Sequence, residues 1–314
     1  MKSRKLETLP LALILFFLCV SISPCLAQFA GGTGSEAAPY LVATAQHLNN
    51  VRNYPGAFFL QTDDIYLNEE PYNSGFGWLP IGTQSAPFTG SYNGNNFHIY
   101  HLYINQPEGN NLGLFGYAHS AVLKNITLKD VYINGKDYIG ALIGSATDCF
   151  IESCSSEGTI TGASVTGGLV GSLELSCHLE KCFANCVVNG QFATGGLCGY
   201  SKGASEIYSS YSKGTVTGNN ATGGLVGMQG NSTISQCFST SAVQGNWVQV
   251  AYWELMTPKV WFLTVILSVA LQEIVILVDL LAEMLSAKHF LAIGMWKAAD
   301  RQFLPVELVE LPTK

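Results

Sequence analysis

Hydrophobic and polar positions alternate over short runs between residues 112 and 245, and the runs return at a fixed interval. One phrase, in which apolar residues stand between glycines, closes at the repeat-defining glycines Gly116, Gly144, Gly171, Gly199 and Gly227. A near-constant period of about 28 residues is typical of a chain that stacks one small structural unit on the next.

Each repeat contains two further phrases with strand-like alternation. The second phrase begins at Ile151, Leu179, Ile207 and Ile234, and the third ends at Gly135, Gly162, Gly190, Gly218 and Gly245. An alternation of period 2 predicts strands whose Ile, Leu and Val side chains point inward. A helix is excluded, because glycine and turn residues interrupt every run.

Three strand-like phrases in each repeat predict an all-β fold. The architecture that suits them is a parallel β-helix (β-solenoid), in which equivalent positions stack about 4.8 Å apart. We expect the glycine after each third strand to occupy a corner that needs positive φ.

The three phrases together resemble the GLUG repeat, which is named for its glycine, hydrophobic, glycine pattern and occurs in large bacterial secreted and surface proteins. The resemblance extends over residues 112–245 and rests on five copies of the glycine phrase. It implies a surface-exposed, adhesin-like protein of bacterial origin.

The first residues of the chain have the pattern of a secretion signal. Lys2, Arg4 and Lys5 precede an apolar run over Leu9–Ile22, and Cys25-Leu26-Ala27 then stands before Gln28. This order predicts a signal peptide at residues 1–27 and therefore a secreted or cell-surface protein. A membrane anchor fits less well, because the apolar run is short for a span.

The stretch that precedes the repeats predicts a cap. Residues 28–77 contain a strand ending at Val42, a helix over Ala45–Arg52 with Thr44 as N-cap, and a second strand beginning at Phe58. Such a cap would cover the open end of the solenoid, whose apolar core is otherwise exposed. Residues 78–246 are then predicted to be the β-helix itself, with an irregular first turn.

Composition and charge exclude several classes of partner and cofactor. The chain has a formal net charge of −7 and only 12% charged residues, without the basic stripe that neutralises nucleic-acid phosphates. Its six histidines are scattered and lack the spacing of zinc ligands. We therefore predict no nucleic-acid partner, no metal and no cofactor.

Regular stacking of the repeats predicts which charged side chains share an outward column. One column reads Lys124, Glu152, Glu180, Tyr208 and Ser235, and a second reads Asp130, Glu157, Asn185, Lys213 and Thr240. Glu152 and Glu180 would lie one rung apart, close enough for a cation or a shared proton, and they form a weak candidate surface site. The alternative is an exposed face on which lysines offset the acids, so no catalytic residue is predicted.

Two further columns consist of polar and thiol groups. Asn134, Thr161, Asn189, Thr217 and Gln244 recur at one position, where they would either form a structural ladder or bind sugars. Cys149 with Cys177, and Cys154 with Cys182, are each one repeat apart, so disulfides between rungs and inward thiols both fit. We predict that Cys154, Cys182 and Cys237 are buried and reduced, because they replace inward apolar residues.

Two functions are compatible with these features. The first is a non-enzymatic secreted or surface-displayed rod that binds a glycan, protein or host surface. The second is a β-helix polysaccharide lyase or hydrolase, with Glu152 and Glu180 as its acidic pair. The absence of a reactive constellation favours the binding rod.

The chain changes character after Asn246. Val260–Ala270 is almost entirely apolar, and one interpretation makes Val260–Leu281 a membrane anchor. Gln272, Glu273 and Asp279 fall inside that span, where charges are costly. Apolar composition nevertheless predicts a helix in this tail.

A second interpretation of the tail follows from the genetic code. If codons are read one nucleotide earlier, Trp247 with Val248 must give Gly, Tyr252 with Trp253 must give Leu, and Trp253 with Glu254 must give Gly. The letters permitted between them complete GTGGLLG, a sixth glycine phrase. We therefore predict that residues 247–314 are a frameshifted translation of about two further turns. A nucleotide sequence whose other frame contains stops near codon 247 would leave the membrane anchor as the explanation.

Overall fold

The computed structural model describes residues 28–245 and three short strands at 248–249, 251–254 and 261–264. The predicted signal peptide and most of the predicted frameshifted tail lie outside the described residues. Among the described residues, no helix combines the length and apolar character needed to cross a bilayer.

The N-terminal cap has the predicted order of strand, helix and strand. It consists of β1 (Tyr40–Val42), α1 (Ala45–Asn50), a 3-10 turn (Val51–Asn53) and β2 (Phe58–Gln61). Thr44 is the N-cap of α1, since its hydroxyl accepts a hydrogen bond from the His47 N–H at 3.2 Å. The α-helix ends before the predicted Arg52, because the chain tightens into the 3-10 turn.

An irregular first turn follows the cap, as predicted. Its strands are β3 (Ile65–Tyr66), β4 (Ser91–Asn93), β5 (His98–Tyr100), β6 (Tyr103–Asn105), β7 (Asn110–Leu112) and β8 (Phe115–His119). The segment between β3 and β4 contains the isolated parallel bridges of Ile81 with Phe115 and of Phe88 with Ala118, so it lies beside β8. β2 pairs with β4 and β3 with β5, so strand pairing is continuous across the predicted domain boundary at residue 77.

The repeats then form regular turns. The first two are β9 (Val122–Lys124), β10 (Thr127–Asn134), β11 (Asp137–Ile139), β12 (Ile143–Thr147), β13 (Phe150–Glu152), β14 (Ser155–Thr161), β15 (Ser164–Gly167) and β16 (Val170–Glu174). The next two are β17 (His178–Glu180), β18 (Phe183–Asn189), β19 (Phe192–Gly195), β20 (Cys198–Lys202), β21 (Glu206–Tyr208), β22 (Tyr211–Thr217), β23 (Asn220–Gly223) and β24 (Val226–Gly230). The last described repeat has β25 (Thr233–Ser235), β26 (Phe238–Ser239) and β27 (Ala242–Gln244).

Equivalent strands of successive turns pair in parallel and form four sheets. Within the described residues, sheet 1 contains β1, β2, β4, β9, β13, β17, β21 and β25, and sheet 2 contains β3, β5, β6, β10, β14, β18, β22, β26 and β27. Sheet 3 contains β7, β11, β15, β19, β23 and a short strand at 248–249, and sheet 4 contains β8, β12, β16, β20 and β24. The chain is therefore the predicted parallel β-helix.

Each complete turn has four strands, one more than the sequence predicted. The glycine phrase does not form a single strand, because Gly167 ends β15 and Val170 begins β16. The buried Leu169 lies at the corner between them. Two adjacent glycines allow the chain to turn here without placing a side chain between the turns.

The glycines after the third phrase were predicted to have positive φ, and that prediction is wrong. Gly162, Gly190 and Gly218 do not have positive φ. A Cβ on each would collide with the hydroxyl of the buried threonine that follows it, at Thr166, Thr194 and Thr222. The turn has no room for a side chain at these positions, so they are glycine.

Positive φ occurs instead at the corner between sheets 1 and 2, in residues other than glycine. The stacked corner residues are Asn125, Ser153, Lys181, Ser209 and Gln236, with φ of 53°, 55°, 54°, 47° and 52°. Such a conformation costs free energy for an L-residue. The stacked strands on either side hold each corner in place, with cross-turn hydrogen bonds such as Lys181 N–H to the Tyr208 carbonyl oxygen at 3.2 Å.

Inward side chains of all four sheets make one continuous core. Ile151, Leu179 and Ile207 are fully buried on sheet 1, which confirms the predicted inward column. The core changes near the cap, where large rings replace aliphatic residues. Its largest fully buried side chains there are Trp78, Tyr92, Phe59, Phe88 and Phe115.

The described part of the tail begins by continuing the stack. The strand β28 (Val248–Gln249) pairs in parallel with β23, next to the position where a sixth glycine phrase is predicted in the other frame. β29 (Ala251–Glu254) and β30 (Trp261–Thr264) then form an antiparallel pair. The expected helix is therefore wrong for residues 261–264, and the remainder of that prediction lies outside the described residues.

Candidate binding surface

The predicted acidic column lies on sheet 1, and lysine side chains form ion pairs with its carboxylates. Glu152 lies between Lys124 and Glu180 in adjacent strands, as predicted. Lys124 Nζ is 3.2 Å from Glu152 Oε2, and Lys181 Nζ is 2.8 Å from Glu180 Oε1 and 3.5 Å from Glu152 Oε1. Two lysines therefore neutralise the two acids.

This ion-pair network is unsuited to acid–base chemistry. Hydrogen bonding to Lys124, and then to Lys181, lowers the pKa of Glu152. A general acid needs the opposite shift, so that it holds a proton near neutral pH. Glu152 and Glu180 lie close together as the sequence predicted, and their geometry is that of a surface salt-bridge cluster.

The prediction of the second column was wrong for one residue. Lys129, rather than Asp130, faces Glu157, and their side chains form an ion pair at 2.6 Å. The register of β10 against β14 shifts between Leu128 and Val131, and Asp130 has a φ of 54°. This β-bulge turns Asp130 away towards His101, whose Nδ1 is 3.8 Å from Asp130 Oδ2.

The predicted polar column lies at the C-terminal ends of successive strands of sheet 2. Asn134, Thr161, Asn189, Thr217 and Gln244 pair with one another in successive strands. The Asn134 amide Nδ2 donates to Asn105 Oδ1 at 3.0 Å, which begins a ladder at its N-terminal end. These side chains, most of them half-buried, support the stack and leave hydrogen-bonding groups at the surface.

The cysteines lie in the core. All seven in the described residues are buried, including Cys154, Cys182 and Cys237. Burial raises the pKa of the Cys182 thiol, and it raises that of Cys186 to about 11. Both effects suppress the thiolate, which is the reactive species.

We expect Cys154, Cys182 and Cys237 to resist a thiol reagent in the native protein. The measurement is labelling with a chromogenic disulfide at neutral pH, with and without denaturant, and peptide mapping of the labelled sites. A Thr233→Cys variant provides an exposed control on sheet 1 that should react at once. Rapid native labelling of the three core thiols would contradict their burial.

The outward face of sheet 2 carries columns of half-buried and exposed aromatic rings that the sequence analysis missed. Phe183, Tyr211 and Phe238 stack on three successive strands, with ring centroids 4.3 and 4.9 Å apart. Nearer the cap, Tyr66 stacks on Tyr100 at 4.8 Å. Phe183 and Tyr211 are one repeat apart in the sequence, and that spacing was the signal that could have predicted this column.

A third group of stacked rings lies on the same face. Tyr103 stacks on Tyr132 at 5.4 Å, and Tyr132 is 43% exposed. Apolar side chains at such exposure are not needed for the core. Aromatic rings surrounded by polar groups are typical of recognition surfaces.

A shallow cavity lies next to this face, in the cap. It has a volume of about 460 Å³ and is lined by Gln46, Asp64, Tyr66, Glu69 and Glu70, among others. In the described part of the chain, no group of His, Cys, Asp and Glu side chains is placed to hold a metal ion. The aromatic face of sheet 2 is therefore the best candidate for a functional surface.

Comparisons with known proteins agree with the repeat character of the chain. No family model matches it. It is 41% identical over 123 residues to a protein of Evansella cellulosilytica named as a Gly-rich membrane protein, and 30% identical over 155 residues to halomucin of Haloquadratum walsbyi. It is also 33% identical over 126 residues to an immunoglobulin A1 protease of Streptococcus sanguinis.

The matched regions are small parts of much larger relatives. They cover 37%, 46% and 40% of this chain but only 14%, 2% and 6% of the three relatives. A crystal structure of a Bacteroides ovatus protein described as an immunoglobulin A1 protease matches with a TM-score of 0.55 at 18% identity. That match covers 71% of this chain and 74% of the other, and it supports the β-helix fold.

The fold and these relatives define the class of protein. The chain is a β-solenoid repeat protein of the kind found in surface or secreted proteins. The names of its relatives agree with an extracellular or cell-surface location.

Proposed function

We propose that this chain is an exported, non-enzymatic binding rod of the GLUG type, and that the outward face of sheet 2 binds carbohydrate. The observation that carries the proposal is the set of stacked aromatic columns on one face of the rod. The strands of sheet 2 stack without interruption, so this face is continuous along the rod and can contact a ligand over its whole length.

Carbohydrate fits this face on chemical grounds. A pyranose has one apolar C–H face that packs against an aromatic ring, and hydroxyls around its rim that need donors and acceptors. Sheet 2 provides both kinds of group, since the polar column of Asn134, Thr161 and Asn189 runs parallel to the rings. The low charge of the chain favours a neutral ligand.

The enzymatic alternative has less support. Glu152 and Glu180, which were its predicted acidic pair, are neutralised by Lys124 and Lys181. The lowered pKa of Glu152 keeps it ionised, so it cannot donate a proton to a leaving group near neutral pH. The relative named as a protease shares only 6% of its length with this chain.

The test compares two matched double variants of the secreted full chain. Tyr132→Ala with Tyr211→Ala removes one exposed ring from each of two aromatic groups of sheet 2, where the side chains are 43% and 37% exposed. The control, Phe192→Ala with Tyr208→Ala, removes equally exposed rings on sheets 3 and 1, at 42% and 38%. Each protein is applied to an array of neutral and acidic glycans and is also incubated with soluble polysaccharides.

We expect the wild type and the control to bind neutral glycans, and the sheet 2 variant to bind about tenfold more weakly. Equal weakening by both double variants would place the ligand elsewhere. Failure of the wild type to bind any glycan would refute the proposal, and so would polysaccharide turnover that Glu152→Gln abolishes.

A further inference from the structure

Two aromatic columns of sheet 2 end on opposite sides of one strand, β14. Ser155 occupies the position that Phe183, Tyr211 and Phe238 hold in the next three strands. Thr159 occupies the position that Tyr103 and Tyr132 hold in the two preceding rungs. Small hydroxyl residues thus replace rings at two places on the same strand.

These replacements leave an opening that we name the notch. Its floor consists of Thr127, Ser155, Glu157 and Thr159. It has two walls at different places along β14: the Phe183 ring beside Ser155 on the β18 side, and the Tyr132 ring beside Thr159 on the β10 side. Thr127 is paired with Ser155, so the floor below the first wall is free of rings for two rungs.

Each wall of the notch has one ring face free of aromatic contact. Phe183 stacks on Tyr211 with one face, at 4.3 Å and 27°, so its other face points towards Ser155. Tyr132 stacks on Tyr103 at 5.4 Å and 16°, so its other face points towards Thr159. Parallel rings this close must overlap face to face, since carbon atoms cannot approach much below about 3.5 Å.

The dimensions of the notch suit one ring. Successive rungs are about 4.8 Å apart, so the level of Ser155 lies one rung from Phe183 and has room for one ring, with the ring-free rung of Thr127 beyond it. A ring that lies at the level of Ser155 would continue the existing stack at the same spacing as the Phe183 and Tyr211 rings. A ligand here would therefore complete a column that the protein leaves unfinished.

The floor of the notch is polar and without net charge. The Ser155 hydroxyl donates to Thr127 Oγ1 at 3.3 Å and retains its own lone pairs. Lys129 Nζ pairs with Glu157 Oε2 at 2.6 Å, with the two side chains 38% and 45% exposed. The pair offers both donors and acceptors to hydroxyl groups, and it favours neither an anion nor a cation.

We propose that the notch on β14 is a sugar subsite, in which a neutral pyranose ring packs on the free face of Phe183 or Tyr132 and its hydroxyls bond the floor. This inference rests on the proposed carbohydrate function and locates it at one strand. Tyr211 and Tyr103 then pack behind the two wall rings and hold them in place.

The test fills the notch instead of removing its walls. Ser155→Phe places a ring at the position where the next three strands already carry rings, so the variant should fold. Thr159→Tyr fills the second position and serves as an independent variant. Thr233→Phe adds a ring to an exposed position on sheet 1, and Ser155→Ala changes the floor without filling it. Circular dichroism and thermal unfolding confirm the fold of each protein.

The probes are neutral hexasaccharides of glucose, xylose, mannose and N-acetylglucosamine, titrated calorimetrically into the secreted full chain. For a hexasaccharide that the wild type binds, we expect Ser155→Phe and Thr159→Tyr each to weaken binding at least about tenfold. Thr233→Phe should bind like the wild type, and Ser155→Ala should lose no more than about threefold.

The outcomes separate the notch from the wider proposal. Unchanged or tighter binding by the two filled variants would overturn the notch, while the double variants of sheet 2 would still decide whether this face binds glycans. A wild type that binds none of the hexasaccharides would overturn the notch, and the glycan array would then test the wider function.

Discussion

Gly199→Ala is expected to lower the free energy of unfolding by about 3 kcal/mol or more, or to prevent folding altogether. A Cβ at this repeat-defining glycine would lie 2.7 Å from the Thr166 nitrogen and from the Val165 carbonyl carbon, and 2.8 Å from the Gly171 oxygen. All three are backbone atoms of the preceding turn, so no side-chain rotation can relieve the collision. Relief would require the stacked sheets to separate.

The measurement for Gly199→Ala is urea unfolding followed by circular dichroism, with Gly56→Ala as the control. The nearest atom to a Cβ on Gly56 is the Thr89 hydroxyl oxygen at 3.5 Å, which is an ordinary contact. Gly56→Ala should therefore change stability little. Equal stability of Gly199→Ala and the wild type would mean that the turns tolerate a side chain at the closing position, and that the period has another cause.

Phe88→Ala is expected to cost about 3–5 kcal/mol and to release the segment between β3 and β4. Phe88 is fully buried, although it lies outside every strand. Its ring centroid is 4.8 Å from that of Phe115 and 6.2 Å from that of Phe59. The ring thus joins the cap to β8 of the irregular first turn, and its removal would leave a large cavity between them.

The backbone of Phe88 depends on this packing. Its N–H donates to the Tyr117 carbonyl oxygen at 3.0 Å, and its carbonyl oxygen accepts from the His119 N–H at 2.9 Å. We expect Phe88→Ala to make the segment sensitive to limited proteolysis. Phe76→Ala is the matched control in the same segment, because that side chain is 74% exposed and should contribute less than about 0.5 kcal/mol. A similar loss in both variants would mean that segment length, not the buried ring, determines docking.

This chain matches only small parts of a halomucin and of an immunoglobulin A1 protease, whose names differ from each other. A solenoid of this kind can be attached to many proteins, because each turn is stabilised mainly by its neighbours. The activity of any relative therefore says less about this chain than its own exposed face does.

The period of the sequence determined most of the fold. Residues one repeat apart pair in successive turns, so the near-constant repeat length fixes the register of each sheet. Alternation within each run fixes which side chains enter the core, as Ile151 and Leu179 illustrate. The columns of Lys124, Glu152 and Glu180 followed directly, since register and alternation together place every residue of a straight strand.

The errors arose where the strand is not straight. Lys181 follows Glu180 in sequence and was absent from the predicted column, but its corner φ of 54° directs it back to both glutamates. The bulge at Asp130 exchanged that residue for Lys129 opposite Glu157. Both conformations are unfavourable for an isolated chain, and the hydrogen bonds of adjacent turns hold them.

The candidate site was decided by the tertiary structure. The sequence contains Phe183, Tyr211 and Phe238 at repeat spacing, but spacing does not tell whether the rings stack or how far each is exposed. The structure places them outward and stacked, and it shows that Ser155 leaves the next position open. A period determines which residues are neighbours, because backbone pairing repeats with it. The shape of a surface depends on side-chain sizes summed across several turns, and those meet only in the folded solenoid.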